Sequence, residues 1–154
     1  MKLQHLILNL FRRNALHYDG VRPIQIYILR LVYALMFFFV GTFSWTTIVK
    51  HQGDWEPVEA IAFCVWAAYS TLSFLGILKP LKLLPIMVFM VFYKSIWLFA
   101  VAYPLWISDS LVGSPAEQMT KDFLWIVLPI AGVPWGYFFR GYFRSKKTEP
   151  IASV

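Results

Sequence analysis

Lys94 is the residue of this 154-residue chain with the most chemistry to explain. It stands in Phe92-Tyr93-Lys94-Ser95-Ile96-Trp97, inside an apolar run over 83–107. Counted from Leu83 along a helix it lies about 16 Å deep. A lysine there costs about 2.5–3.5 kcal/mol to insert into a bilayer. Such an ammonium either contacts a ligand or handles a proton, or it is held in a structural ion pair or snorkels to a headgroup layer. Its expected counter-ion is Glu59 in the first turns of the preceding run, with Asp54 as the second choice. The plain alternative for Glu59 is that it complements a helix dipole at the surface. Tyr93, Trp97 and Trp66 are polar-edged aromatics expected to wall a pocket around the amine, and with Tyr69 and Tyr103 they also suit ordinary bundle core. Arg30 lies about two turns into the first run, where it snorkels or offers its planar fork to a lipid phosphate or a carboxylate.

Enzymatic motifs are missing around these residues. The chain has no glycine-rich phosphate loop, no GxSxG, no HExxH and no clustered aspartates for Mg2+. His5, His17 and His51 are scattered, so neither a metal nor a heme is expected, and no other cofactor is implied. The lone Cys64 rules out an intrachain disulfide.

The elements that must position Lys94 follow from composition. Hydrophobic residues make up 59% of the chain and charged ones 14%, with a mean hydropathy of +0.61. Soluble domains carry about 45–50% apolar and about 25% charged residues, so the expectation is a polytopic, all-α membrane protein. The apolar residues fall into four runs near the ~20 residues that cross a bilayer, over about 24–49, 57–78, 83–107 and 123–139. Short connections make consecutive helices antiparallel neighbours, giving a four-helix transmembrane bundle over 23–143. Residues 1–22 form a cytoplasmic amphipathic segment, with Leu3, Leu6, Ile7, Leu10 and Phe11 on one helical face lying on the leaflet. Residues 144–154 form a basic tail.

Basic residues gather on one side: Lys2, Arg12, Arg13 and Arg22, then Lys79 and Lys82, then Arg140, Arg144, Lys146 and Lys147. The opposite loops hold only Lys50 and Lys121. This asymmetry places both termini in the cytoplasm. It accounts for the net charge of +6 without nucleic acid as a partner. Trp45, Trp55, Trp106 and Trp125 are expected as an interfacial belt at the other side.

Local punctuation sharpens the boundaries. Pro57 suits the first position of the second helix. Ser114-Pro115-Ala116-Glu117 reads as a capping box, so the last helix is expected to start outside the membrane and to enter it near Phe123. Pro129 and Pro134 imply kinks, or a broken helix lining a site. Gly132 and Gly136 match a weak close-packing motif, and Ala60, Cys64, Ala67, Ala68 and Thr71 form a small-residue stripe expected to pack within the bundle or across a homodimer.

Leu29-Arg30-Leu31 opening the first helix, Phe38 to Gly41 further along it and Leu75-Gly76 ending the second resemble small bacterial inner-membrane proteins of the DoxX-like kind. Gly53-Asp54-Trp55-Glu56-Pro57 and the segment around Lys94 are similar to signatures of a functionally uncharacterised bacterial four-helix family of this size. The resemblance implies the four-helix membrane fold and a multi-pass inner-membrane location. Some DoxX-like proteins are linked to quinone redox reactions, which the resemblance attaches to no residue of this chain. The leading expectation is a non-catalytic protein binding a lipophilic or anionic small molecule, or a membrane lipid, around Lys94. An assembly subunit of a larger membrane complex and a quinone- or lipid-linked enzyme subunit are the alternatives.

Overall fold

The computed structural model describes residues 20–143, and every regular element there is helical. The expected amphipathic helix over 1–22 and the basic tail fall almost wholly outside the described residues. Helix α1 spans Pro23–Lys50, α2 Pro57–Leu78 and α3 Leu84–Ile107. Shorter helices follow: α4 over Ala116–Leu124, α5 over Val127–Gly132 and α6 over Trp135–Phe143. The first three are long and apolar enough to cross a membrane, and 116–132 with 135–141 makes a fourth if that bent pair counts as one. Large apolar side chains face outward, Phe39 at 71% and Phe99 at 73% exposure among them. That is what a hydrocarbon solvent would cover, and in it only internally bonded backbone such as helix is viable.

Sequence chemistry sets the ends. Pro57 opens α2 where its missing N–H costs nothing, and the Glu56 carboxylate accepts from the Glu59 N–H at 2.8 Å. Lys79 leaves helical geometry because Pro80 follows it. Two π-helical stretches, Met36–Gly41 in α1 and Leu98–Ala102 in α3, interrupt the regular helix without ending it.

The core lies toward the end that carries the 79–83 turn, called the lower end below. It comprises Leu29, Val32, Tyr33 and Met36 of α1, Tyr69 of α2, Leu84, Met87 and Met90 of α3, and Val133. Helices α1 and α2 meet on Ser70, Ser73 and Gly76, all buried. Both serine hydroxyls donate back to their own helix, to the Ala67 and Tyr69 carbonyls, so neither is orphaned. The within-bundle reading of the stripe is therefore corrected: of Ala60, Cys64, Ala67, Ala68 and Thr71 only Ala67 is buried. The seam lies about one residue per turn around the helix from the predicted face. Thr71 still serves the pair from its edge, accepting the Trp45 indole N–H at 3.0 Å.

The fourth segment breaks rather than kinks. Val133 is extended because Pro134 follows, and the axis turns by 69°. Pro134 has no N–H for the Ile130 carbonyl four residues back. The Trp135 indole supplies one instead, at 3.0 Å. Trp135→Phe should lower stability by about 0.5–1.5 kcal/mol, the net worth of one hydrogen bond, read as a lower midpoint of thermal unfolding in detergent. Gly132 lets α5 approach α1, since a Cβ there would come within 2.6 Å of Ile28 Cγ2, whereas a Cβ on Gly136 would meet nothing within 4 Å. The two glycines are not one packing motif.

Residues 108–122 also depart from expectation. Ser114 does not cap: its hydroxyl donates to the Leu111 carbonyl at 2.7 Å, while Glu117 reaches back to the Gly113 N–H at 2.7 Å. The capping box is half made. The chain then turns down, and α4 packs beside Leu98–Ala102 of α3, with the Phe123 ring against Tyr93 and Trp97. Phe123 thus sits at the level of Lys94, and α4 flanks the upper half of α3 rather than standing above it.

Candidate functional site

Toward the upper end the helices diverge into two pairs. The upper half of α1 stays on α2, and α4 stays on α3. The gap between the pairs is a cleft, and Lys94 stands at its middle.

Two cavities open on either side of that residue, both lined by Phe39, Val40, Lys94 and Asp122. The upper one, about 470 Å³, adds aromatic and polar walls: Phe43, Trp66, Tyr69, Tyr93 and Gln118. The lower one, about 610 Å³, is walled by Val32, Leu35, Met36, Met90 and Leu128, with Trp125 at its edge. Each falls in the ~300–1,000 Å³ range of small-molecule sites. Phe39 and Val40 come from the π-helical stretch of α1, a device that recurs at functional sites.

Lys94 is half-buried, with its ammonium over the Phe123 ring, 4.8 Å from the centroid. Among the described residues it makes no hydrogen bond, and the one ion pair there is Lys121–Glu117, at 2.6 Å. The acid whose charge Lys94 feels is Asp122. Asp122 accepts from the Gln118 amide at 3.2 Å, one turn up α4. Beside them the Tyr69 and Tyr93 hydroxyls share a hydrogen bond at 3.0 Å. One of the two phenolic hydrogens satisfies that bond, so the other is available to an acceptor in the cavity.

The fold brings together Lys94, Tyr93 and Trp66 of the predicted set. Trp97 stands behind Phe123 and lines neither cavity. Glu59 and Asp54 are exposed at the upper end of α2 and in the loop before it, and neither pairs with Lys94. Glu59 instead holds the helix start through its backbone N–H. Arg30 is half-buried on the lower half of α1, apart from both cavities, with its Nε lacking a hydrogen-bond partner among the described residues. Trp125, 69% exposed, also lines the lower cavity. Tyr103 is 52% exposed and packs on Trp106, outside the cleft.

Asp122 is the residue that sequence reasoning missed. A signal existed: equal helical rise on both sides of the 108–115 turn sets Asp122 opposite roughly Val101, about two turns from Lys94. No protein-family model, curated protein or solved structure matches the chain.

Proposed function

We propose that this chain is a multi-pass protein of a bacterial inner membrane that holds a lipophilic small molecule or a lipid in the cleft around Lys94. On this reading it is an antiparallel four-helix bundle of DoxX-like kind, with both termini cytoplasmic and the broken segment 116–141 as its fourth crossing. The observation that carries the reading is the unpaired ammonium of Lys94 at the junction of two cavities. Intramembrane charges normally have a partner; here the open face of that amine is the cleft itself.

The cleft has the features of a binding site. Its aromatic walls supply contact area, its lower half takes a chain or ring system, and Lys94 orients a polar end. Val40 lines both cavities, so Val40→Trp fills them without touching a charge. Native mass spectrometry of the purified protein should show a retained lipophilic molecule on the parent and loss of most of it on Val40→Trp. Equal retention by the two proteins, or none by the parent, refutes the reading.

A second reading, a subunit that docks in a membrane complex, draws support from one feature. The Glu117–Lys121 pair lies on the outward face of α4, with Lys121 62% exposed, beside an apolar helix. Co-purification of a stoichiometric membrane partner, lost on Lys121→Glu, favours docking over ligand retention.

A further inference from the structure

The cleft presents one cation and one anion that do not satisfy each other. Lys94 and Asp122 line both cavities, yet no oxygen of Asp122 comes within 4 Å of the ammonium. Lys94 has only an aromatic face, and Asp122 only a carboxamide from its own helix. Lys94 is half-buried and Asp122 is exposed on the cleft; an unpaired ammonium in an apolar run is costly, so an occupant that pairs it and also meets the carboxylate gains at both ends. An anionic amphiphile would satisfy Lys94 and be repelled by Asp122; a cationic one would do the reverse.

The surplus of donors narrows the anionic end. Besides the ammonium, the upper cavity has the spare hydrogen of the Tyr69–Tyr93 pair, and the Trp66 indole N–H makes no hydrogen bond among the described residues. Three donor-bearing side chains on one cavity wall suit a group with several acceptor oxygens. The nearly all-apolar lower cavity takes a chain.

Building on the ligand-binding reading above, we infer that the occupant is a zwitterionic phospholipid. Its phosphate faces Lys94 and the free donors, its amine faces Asp122, and an acyl chain fills the cavity between α1 and α5.

The test compares two lipids of identical chains, phosphatidylethanolamine and phosphatidylglycerol, each added to the delipidated full-length protein in mild detergent. Bound fractions are read by native mass spectrometry. The parent should bind the zwitterionic lipid better by roughly tenfold or more, the scale of one charge-assisted hydrogen bond. Asp122→Asn should abolish or reverse that preference, Asp122→Glu should restore it, and Lys94→Gln should weaken the zwitterionic lipid by a similar factor. Elution as a single species and a melting temperature no lower than the parent's identify folded variants, and Asp122→Glu carries the test if Asp122→Asn does not fold. Equal binding of the two lipids by the parent, or a preference untouched by Asp122→Asn, overturns this inference and leaves the cleft a binding site for other amphiphiles. Failure of both lipids to bind, together with no effect of Val40→Trp on retained material, overturns the binding reading itself.

Discussion

Lys94→Met should make the delipidated protein more stable and, in the same molecule, cost it at least about tenfold in bound amphiphile. The two effects have opposite signs because the ammonium is an expense to the fold and an asset to the site. Placing a lysine at this depth costs about 2.5–3.5 kcal/mol. In the ligand-free protein the Phe123 ring and the charge of Asp122 compensate it in part; a ring contact of this kind returns about 0.5–2 kcal/mol. Methionine has similar length, no charge and good tolerance of irregular apolar space. A gain of about 1–2 kcal/mol in detergent follows, a shift of a few degrees for a chain of this size. Ligand retention falls because a neutral thioether offers nothing to a phosphate or carboxylate. Thermal unfolding of delipidated protein and native mass spectrometry of protein with lipid measure the two halves separately. A less stable variant would make Lys94 a structural tie; a more stable variant with undiminished retention would remove it from the site.

The positions legible in the sequence were those governed by local chemistry. Pro57 and Pro80 mark helix ends whatever surrounds them, and the bounds of α2 came out as read. Lys94, Tyr93 and Trp66 stand out because a charge and polar-edged rings in an apolar run are conspicuous on any reading. The illegible part is α4. Glu117, Gln118, Lys121 and Asp122 read as a water-exposed helix, which is why Asp122 was passed over as a partner for Lys94. Glu117 pairs with Lys121 at one-turn spacing, and Gln118 gives Asp122 a single amide hydrogen without a counter-charge. Internal pairing lowers the cost of lying against apolar neighbours, and that is a tertiary fact with no single-residue signature. The seam of α2 failed for a related reason. Small residues are plentiful on that helix, and composition cannot say whether the stripe with Cys64 or the one with Ser70, Ser73 and Gly76 faces α1. The partner's bulk decides it, and Tyr33 needs the glycine.

That contact sets the largest stability effect expected from a single methyl group. A Cβ on Gly76 would stand 2.5 Å from Cδ1 of Tyr33, 2.6 Å from Cε1 and 2.7 Å from Cγ. Real side chains do not approach so closely, so the ring or a helix must move. The ring has little room: Tyr33 is fully buried, within the core cluster, and its hydroxyl donates to the Pro80 carbonyl at 3.3 Å. Moving it breaks that bond and disturbs Leu29, Met36 and Tyr69 around it. Gly76→Ala should therefore cost about 3 kcal/mol, the upper range of overpacking, and Gly76→Leu should prevent the α1–α2 pair from forming. Glycine's own entropy acts in the other direction, since alanine is the better helix former by about 1 kcal/mol; a net loss shows that contact outweighs propensity. Tyr33→Leu removes the ring and loses the bond to Pro80, so it is destabilising alone. In the double variant the clash is gone, and the combined loss should be smaller than the sum of the two by at least about 1 kcal/mol. Denaturant titrations of the four proteins in one detergent give that coupling. Additive losses would mean that Gly76 and Tyr33 do not meet, and that the α1–α2 seam on which the cleft rests runs elsewhere.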